Sequence, residues 1–217
     1  MNISIVVPCY KPHFKYIRRF IKNIELQTKQ PTEIILALSQ CTNEDLEKIK
    51  EKINTKIPIK YSVTENNALA WENRNRGYEL VSTDYIIFMD IDDTYHPQKL
   101  EITEYFLNKY NPNILLHSYY KKSWNLSLPG YINPELIYVA RCGKIYKNTF
   151  NENNKNPYNI ITGFPVAHGI ITVKKSIMDK VKFKDYKRGE DGIFCRDVLK
   201  EYGKFIAINC VLMIYNK

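Results

Sequence analysis

Long apolar runs are missing from this sequence, and none approaches the roughly 20 residues that a helix needs to cross a bilayer. The first eight residues have neither a basic lead nor a small-residue cleavage site, so we expect no signal peptide. These absences disfavour an integral membrane protein. The hydrophobic content of 44% is instead typical of a globular domain.

Cysteines are few, odd in number and scattered along the chain. The five are Cys9, Cys41, Cys142, Cys195 and Cys210, and their positions match neither a metal-binding spacing nor a disulfide framework. Thiols used in this way favour a reducing compartment. We therefore expect a cytoplasmic location.

Acidic residues are outnumbered, since 32 lysines and arginines face 23 aspartates and glutamates, and the formal net charge is +9. A basic protein favours anionic partners such as nucleotide phosphates or anionic lipid head groups. The chain carries no nucleic-acid-binding motif, so we do not expect a nucleic acid partner. Peripheral contact with a membrane is left open.

Strand-like and helix-like segments alternate through the first half. β-branched apolar runs predict strands at residues 3–7, 33–38, 58–63 and 85–89, and helical periodicity follows each of them. This alternation predicts an α/β fold with a mostly parallel central sheet flanked by helices. We expect one domain over residues 1–217, with residues 1–110 as a nucleotide-binding half and residues 111–217 as an acceptor-binding half.

The run Asp90-Ile91-Asp92-Asp93 places three carboxylates directly after the fourth predicted strand. Such close like charges repel each other, and a divalent cation would relieve the repulsion, because Mg²⁺ and Mn²⁺ prefer hard oxygen ligands. The alternative is an acidic cap for the next helix, which Pro97 would open. Capping requires only one acid, so we favour the metal site.

Several motifs occur in an order that resembles family 2-like glycosyltransferases of the GT-A fold. They are Ile3–Tyr10, the Arg74-Asn75 pair with Gly77, the run that ends at Asp93, and Gly189-Glu190-Asp191. The resemblance covers about the first 110 residues and one short motif in the last 50. It implies transfer of a sugar from a nucleotide diphosphate-sugar, with a UDP-sugar favoured, to a glycan, lipid-linked or protein acceptor.

The resemblance also implies roles for residues of the first half. Asp90, Asp92 and Asp93 would hold Mn²⁺ or Mg²⁺ and the nucleotide, and Arg74 would lie near the phosphates. Pro8 and Tyr10 would line the base pocket. The family usually has paired acids after the second strand, but here Ser39 stands at that place, so the base would be held differently.

In the second half, the resemblance makes Asp191, or else Glu190, the base that takes the acceptor's proton, which implies inversion. Acids at a helix start are also common as partners of the helix dipole. His168 could contact the diphosphate, metal or acceptor, although a structural role is favoured. Trp124 could stack on a sugar ring or be buried. The Asn-rich residues 147–165 have the composition of a long loop, for which we expect a lid function.

Two other function classes compete. A sugar nucleotidyltransferase would use a Gly-rich phosphate loop after the first strand, but that loop reads Pro8-Cys9-Tyr10-Lys11 and contains no glycine. A non-catalytic nucleotide- or sugar-binding module gains support from the altered Ser39 position. It would, however, need no base at Asp191.

Overall fold

The computed structural model describes residues 2–143, 168–186, 189–202 and 205–216. In these ranges one sheet of nine strands runs through both halves of the chain, with helices packed against it. The strands and the longer helices are β1 (Ile3–Tyr10), α1 (Ile17–Glu25), β2 (Glu33–Ser39), α2 (Asn43–Glu51), β3 (Ile59–Thr64), α3 (Ala70–Tyr78), β4 (Tyr85–Phe88), β5 (Thr94–Tyr95), α4 (Lys99–Tyr110), β6 (Ile114–Lys121), β7 (Val139–Gly143), β8 (Ile171–Lys174), α5 (Glu190–Tyr202) and β9 (Phe205–Tyr215). A single helical turn, Lys175–Met178, follows β8.

The strand order is β3-β2-β1-β4-β8-β6-β9-β5, and β7 also pairs with β9. β1 to β4 are mutually parallel, as the alternation of strands and helices predicts. The sheet as a whole is mixed, which corrects the expectation of a mostly parallel one: β8 runs antiparallel to both β4 and β6, and β5 and β7 run antiparallel to β9. The strand–helix alternation that enforces parallel pairing does not continue past α4, so strand direction is set there by tertiary pairing.

The central strands are apolar because helices cover both faces of the sheet. All seven residues of β2 are buried, and Ile86, Ile87 and Phe88 of β4 are fully inaccessible to solvent. Strands buried on both faces have continuous rather than alternating hydrophobic patterns. α1 adds a helical stripe in which Ile17, Phe20, Ile21 and Ile24 are buried.

Two local details fix the helices of the first half. Thr42 caps α2: its Oγ1 accepts from Asp45 N at 3.2 Å, while its own N donates to Asp45 Oδ2 at 3.1 Å. Gly77 lets α3 approach the sheet closely, because a Cβ there would lie 2.6 Å from Val6 Cγ1. α3 is therefore held tightly over β1.

The sequence pattern of the second half is less regular, and it predicts a strand at residues 169–173 and a helix at residues 193–199. In the structure, His168–Ile170 form a 3-10 turn, and β8 follows it. The helix is longer than the pattern and spans Glu190–Tyr202, and the long strand β9 has no counterpart in the pattern. The loop at residues 147–165 lies outside the described residues. Among the helices of the described ranges, none has the length and apolar composition needed to cross a membrane.

Candidate active site

A cleft of about 300 Å³ opens at the carboxyl ends of β1 and β4. These two strands form the topological switch point, because the chain proceeds from β1 to β2 and β3 on one side and then returns to β4 on the other. Ligands of open α/β sheets bind at such points. We call it the switch-point cleft; it is lined by Pro8, Cys9, Tyr10, His13, Asn67, Ala68, Leu69, Ala70, Asn73, Arg74, Asp90, Ile91, Asp92 and Glu190.

One wall of the switch-point cleft is the end of β1. Pro8 is partly buried there, and Tyr10 is 40% exposed. The Tyr10 ring lies 4.2 Å from that of His13, centroid to centroid, at an angle of 52°. The contact restrains Tyr10 while leaving much of its surface accessible, as a platform for a flat ring requires. Nothing in the sequence pattern marked His13 as its neighbour.

Ser39 is fully buried and is not among the residues that line the cleft. Its Oγ donates to Ala68 O at 3.2 Å and accepts from Asn73 Nδ2 at 3.0 Å. Ala68 and Asn73 are themselves cleft residues. Ser39 therefore supports the wall from behind.

Arg74 reaches the cleft from α3, but its side chain is only 1% exposed. Nη2 donates to Asp90 Oδ1 at 2.8 Å, and Nη1 lies 3.6 Å from Glu190 Oε1. The guanidinium carbon is 5.6 Å from the centre of the Phe183 ring. Arg74 thus joins the end of β4 to the start of α5, and two carboxylates surround its charge.

The three clustered carboxylates have different environments. Asp90 and Asp92 line the switch-point cleft, whereas Asp93 is 5% exposed and does not. Asp93 Oδ1 accepts from Asn216 N at 2.9 Å, and Asn216 Nδ2 donates to the carbonyl of Asp92 at 2.6 Å. The Asp92 carbonyl also accepts from Arg19 at 2.8 Å. The loop is therefore fixed through its main chain and Asp93.

A divalent cation can be tested against this donor set. In the described part of the chain, no group of three or more His, Cys, Asp or Glu side chains is arranged to hold a metal ion. Two carboxylates, Asp90 and Asp92, do line the same cleft. Mg²⁺ sites often use only one or two carboxylates together with substrate phosphates. The residues present therefore fit a cation that is bound jointly with a diphosphate.

The Glu190-Asp191 pair opens α5. Gly189 precedes it with φ of 83°, a left-handed conformation that favours glycine, and its carbonyl accepts from Ile193 N at 3.0 Å. Glu190 lines the cleft and faces Arg74. Asp191 is 7% exposed, and its Oδ1 accepts from Gly192 N at 2.8 Å.

Tyr119 on β6 was not singled out by the sequence pattern. Burial raises the pKa of its phenol, and the nearby Tyr215, Asp191 and Asp93 add to the rise. The hydroxyl therefore stays protonated and can donate a hydrogen bond. Asp191 and Asp93, from opposite halves of the chain, both lie within electrostatic range of this one side chain.

Cys9 is the thiol in the wall of the switch-point cleft, and it is 1% exposed. Burial raises the pKa of this thiol well above its ordinary value, and Cys41 and Asp92 raise it further. A neutral, inaccessible thiol is a poor nucleophile. Covalent catalysis through Cys9 is therefore disfavoured.

The two remaining candidates, His168 and Trp124, are not among the described residues that line the cleft. His168 begins a 3-10 turn, and its side chain lies outside the described residues. Trp124 is 50% exposed, which excludes the buried alternative, and its ring packs edge-on against Tyr120 with centroids 6.3 Å apart.

The chain is similar to known proteins over most of its length. A model of the family described as "Glycosyl transferase family 2" matches residues 4–179. A poly(ribitol-phosphate) beta-N-acetylglucosaminyltransferase, TarS from Staphylococcus aureus strain MW2, is 24% identical over 71% of this chain and 29% of its own length. Glycosyltransferase GlyA from Streptococcus pneumoniae is 27% identical over 99% of this chain and 30% of its own length. The chain thus spans about three tenths of these relatives.

Solved structures show the same fold. Residues 1–349 of S. aureus TarS in complex with UDP-GlcNAc align with a TM-score of 0.71 at 17% identity, covering 100% of this chain and 59% of that one. The mannosyltransferase PcManGT from Pyrobaculum calidifontis, in complex with GDP-Man and Mn²⁺, aligns with a TM-score of 0.69 at 12% identity, covering 99% and 56%. The fold is therefore GT-A-like.

Proposed function

Since the chain belongs to glycosyl transferase family 2, we propose that it transfers a sugar from a nucleotide diphosphate-sugar to an acceptor hydroxyl. One observation carries the proposal: an exposed aromatic ring, Tyr10, and two carboxylates, Asp90 and Asp92, line one cleft at the switch point of the sheet. An aromatic face suits a nucleobase, and carboxylates suit a cation bound to phosphates.

The donor we propose is a UDP-sugar. TarS, which shares the fold, has been solved with UDP-GlcNAc and with UDP. PcManGT has been solved with GDP-Man, so the fold alone does not select the base. The cleft of about 300 Å³ has room for much of a nucleotide, and Tyr10 is its most accessible ring.

We propose that Asp90 and Asp92 hold Mn²⁺ or Mg²⁺ together with the donor's diphosphate. When bound, such a cation acts as a Lewis acid that stabilises the negative charge on the leaving diphosphate. PcManGT was solved with Mn²⁺. Asp93 then anchors the carboxylate loop through Asn216, because it is buried and does not line the cleft.

We further propose that Asp191 is the general base, with Glu190 as the second choice. The Asp191 carboxylate accepts the proton of the acceptor hydroxyl while the acceptor oxygen bonds to the anomeric carbon and the bond from that carbon to the diphosphate oxygen breaks. This single displacement inverts the anomeric configuration. Glu190 is less suited to the role because its carboxylate faces the Arg74 guanidinium at 3.6 Å.

The acceptor is proposed only by class, as a hydroxyl of a glycan, a lipid-linked saccharide or a protein. The net charge of +9 favours an anionic acceptor among these. The name of the relative TarS specifies poly(ribitol-phosphate), an anionic polymer.

The test is release of nucleoside diphosphate from UDP-GlcNAc, other UDP-sugars and GDP-mannose, with MnCl₂ or with EDTA. We expect turnover with at least one UDP-sugar, its loss in EDTA, and its loss in Asp92→Ala. Binding of these donors without any turnover, even with saccharide acceptors added, would favour a non-catalytic module instead. Turnover that persists in EDTA would remove the metal from the proposal.

A further inference from the structure

The side-chain amide of Asn75 makes two hydrogen bonds to one distant residue. Nδ2 donates to Phe183 O at 2.8 Å, and Oδ1 accepts from Phe183 N at 3.1 Å. The two residues are 108 positions apart in the chain. The amide group of Asn75 thus bonds to both the N–H and the carbonyl of Phe183, as the main chain of a paired strand would. Two bonds of this kind fix both the position and the orientation of the Phe183 main chain.

The ring that this clamp fixes lies among residues of the candidate site. Phe183 is 2% exposed and stacks on Phe194 of α5, with centroids 4.1 Å apart and planes at 15°. It also meets Phe88 of β4 edge-on at 4.9 Å, and the Arg74 guanidinium lies over it at 5.6 Å. Phe183 therefore contacts β4, α5 and the Arg74 side chain of α3 at the same time.

Phe194 connects the ring to the proposed base. It follows Asp191 by three positions on α5, so the two side chains share one face of the helix. A shift of the Phe183 ring would move that face relative to Arg74 and Asp90. The first turn of α5 also carries Glu190, which faces Arg74.

The segment around Phe183 is held from two sides: the clamp comes from α3, and Lys184 Nζ pairs with Asp197 Oδ2 of α5 at 2.7 Å. Residues 179–186 belong to no strand or helix. Besides the clamp, Tyr78 hydrogen-bonds to Asp179, and Lys182 pairs with Glu79 at 3.3 Å. The Lys182–Glu79 pair is exposed and contributes little. The clamp comes from the residue next to Arg74, whose guanidinium lies over the Phe183 ring.

From this geometry we propose that Asn75 is a positioning residue for the transfer reaction: through Phe183 and Phe194 it sets the place of Asp191 relative to the bound donor. The proposal rests on the proposed function, in which Asp191 is the base. It predicts a loss in kcat with little change in donor binding, because Tyr10 and Asp92, which are proposed to meet the donor, belong to β1 and to the loop after β4, whereas the clamp acts on α5.

Asn75→Ala is the test variant and Asn113→Ala the matched control. Asn113 Nδ2 donates to Tyr202 O at 3.4 Å, so this control removes a side-chain hydrogen bond to the main chain of α5 itself, at the end of the helix that lies away from Asp191. We expect Asn75→Ala to lower kcat by about 10- to 100-fold, since a misplacement of 1 Å costs up to about 100-fold. In Asn75→Ala, the Kd of a UDP-sugar with MnCl₂ should stay within threefold of the wild-type value. In Asn113→Ala, both kcat and this Kd should stay within twofold of the wild-type values.

Amide hydrogen exchange gives a readout that does not need activity. The amides of residues 190–194 should exchange faster in Asn75→Ala than in Asn113→Ala. Unchanged kcat in Asn75→Ala, or equal losses of kcat and equal exchange in the two variants, would overturn the positioning role. If the wild-type protein transfers no sugar, the proposed function fails. Faster exchange at residues 190–194 would then still support the coupling of Asn75 to α5, and unchanged exchange would overturn it.

Discussion

Arg74 and Asp90 form a buried ion pair at the edge of the switch-point cleft, with Nη2 and Oδ1 2.8 Å apart. The side chains are 1% and 13% exposed, so water screens the pair poorly. Asp90 is a proposed ligand for the cation, and Arg74 also faces Glu190 at 3.6 Å. The pair therefore links the donor site to the helix that carries the proposed base.

A double-mutant cycle measures this link. Arg74→Leu leaves Asp90 and Glu190 without their common partner, and breaking a buried pair typically lowers the free energy of unfolding by about 3–5 kcal/mol. Arg74→Leu/Asp90→Ala should lose less than the sum of the single variants, by about 0.5–3 kcal/mol, in urea unfolding. The exposed Lys48–Glu44 pair on α2 is the control, and its coupling should be within error. If the losses in free energy of unfolding from Arg74→Leu and Asp90→Ala simply add in the double variant, the two side chains are not coupled.

Gly77→Ala tests the close packing of α3 on the sheet. The new Cβ would lie 2.6 Å from Val6 Cγ1 and 3.3 Å from Ala37 Cβ, and both neighbours belong to buried strands. Overpacking of this kind lowers the free energy of unfolding by about 1–3 kcal/mol. Gly130→Ala is the control, because a Cβ there meets nothing within 4 Å. In urea unfolding, the free energy of unfolding should fall in Gly77→Ala and stay at the wild-type value in Gly130→Ala. Equal stability of the two variants would show that α3 adjusts without strain.

Sequence patterns predicted much of the first half because its folding rules are local. β-branched runs mark β1 to β4, and the rule that ligands bind at carboxyl ends brought Tyr10, Asp90 and Asp92 together correctly. Ser39 shows the limit of that rule. A residue at a strand end can face the cleft or the layer behind it, and here Asn73 and Ala68 hold it behind the wall.

The second half was less predictable because its contacts are long-range. β8 lies antiparallel between β4 and β6, which no local pattern specifies. Asn216 contacts the carboxylate loop 123 positions earlier, and Asn75 contacts Phe183. No periodicity or motif marks Asn216 as part of the site. Asn75 belongs to the Arg-Asn motif of the resemblance, but the role that the motif implies is that of Arg74, and the motif does not indicate a partner for Asn75.

Stability should depend on pH through Lys99. Its side chain is fully buried and donates to Gly169 O at 2.7 Å and to His117. Burial lowers the pKa of Lys99 from 10.5 to about 7, with Asp93 and Cys210 acting in the opposite direction. Between pH 7 and 10.5 the unfolded chain holds a proton on Lys99 that the folded chain lacks. The free energy of unfolding therefore rises with pH across this range, and this contribution is lost as the pH falls to about 7.

Lys99→Met removes this titration, and Lys109→Met on the exposed side of the same helix is the control. The free energy of unfolding of wild type relative to Lys99→Met should increase between pH 7 and 8.5, by at most about 1.4 kcal/mol per pH unit. The free energy of unfolding of wild type relative to Lys109→Met should not change over the same pH range. Parallel pH profiles for wild type and Lys99→Met would show that Lys99 is not titrating in this window.

Asp92 and Asp93 should respond differently to substitution. Asp92→Ala should abolish the gain in UDP affinity that MnCl₂ gives over EDTA and leave the melting temperature near that of wild type, because its carboxylate lines the cleft. Asp93→Ala should lower the melting temperature, because its carboxylate is buried and accepts from Asn216 N. Calorimetric titration of UDP measures the effect of MnCl₂ on affinity, and thermal unfolding measures the melting temperature.

Asp84→Asn, at the opposite end of β4, is the control and should change neither quantity. If Asp92→Ala retains the full effect of MnCl₂ on UDP affinity, Asp92 is not a ligand of the cation. If Asp93→Ala instead loses that effect without any loss of stability, the two residues have exchanged roles.

The last prediction separates proton transfer from donor binding. Asp191→Asn retains the size of the side chain and can still accept from Gly192 N, but it cannot take the acceptor's proton. General-base assistance is typically worth about 10²- to 10⁴-fold, so kcat should fall by that order while the donor Kd stays within threefold. Glu190→Gln should affect donor binding more than Asp191→Asn does, because Glu190 lines the cleft beside Arg74. A variant pair in which Glu190→Gln loses turnover and Asp191→Asn keeps it would make Glu190 the base. Near wild-type turnover in both variants would show that neither Glu190 nor Asp191 is the base. The two acids would then only complement the dipole of α5 at its first turn.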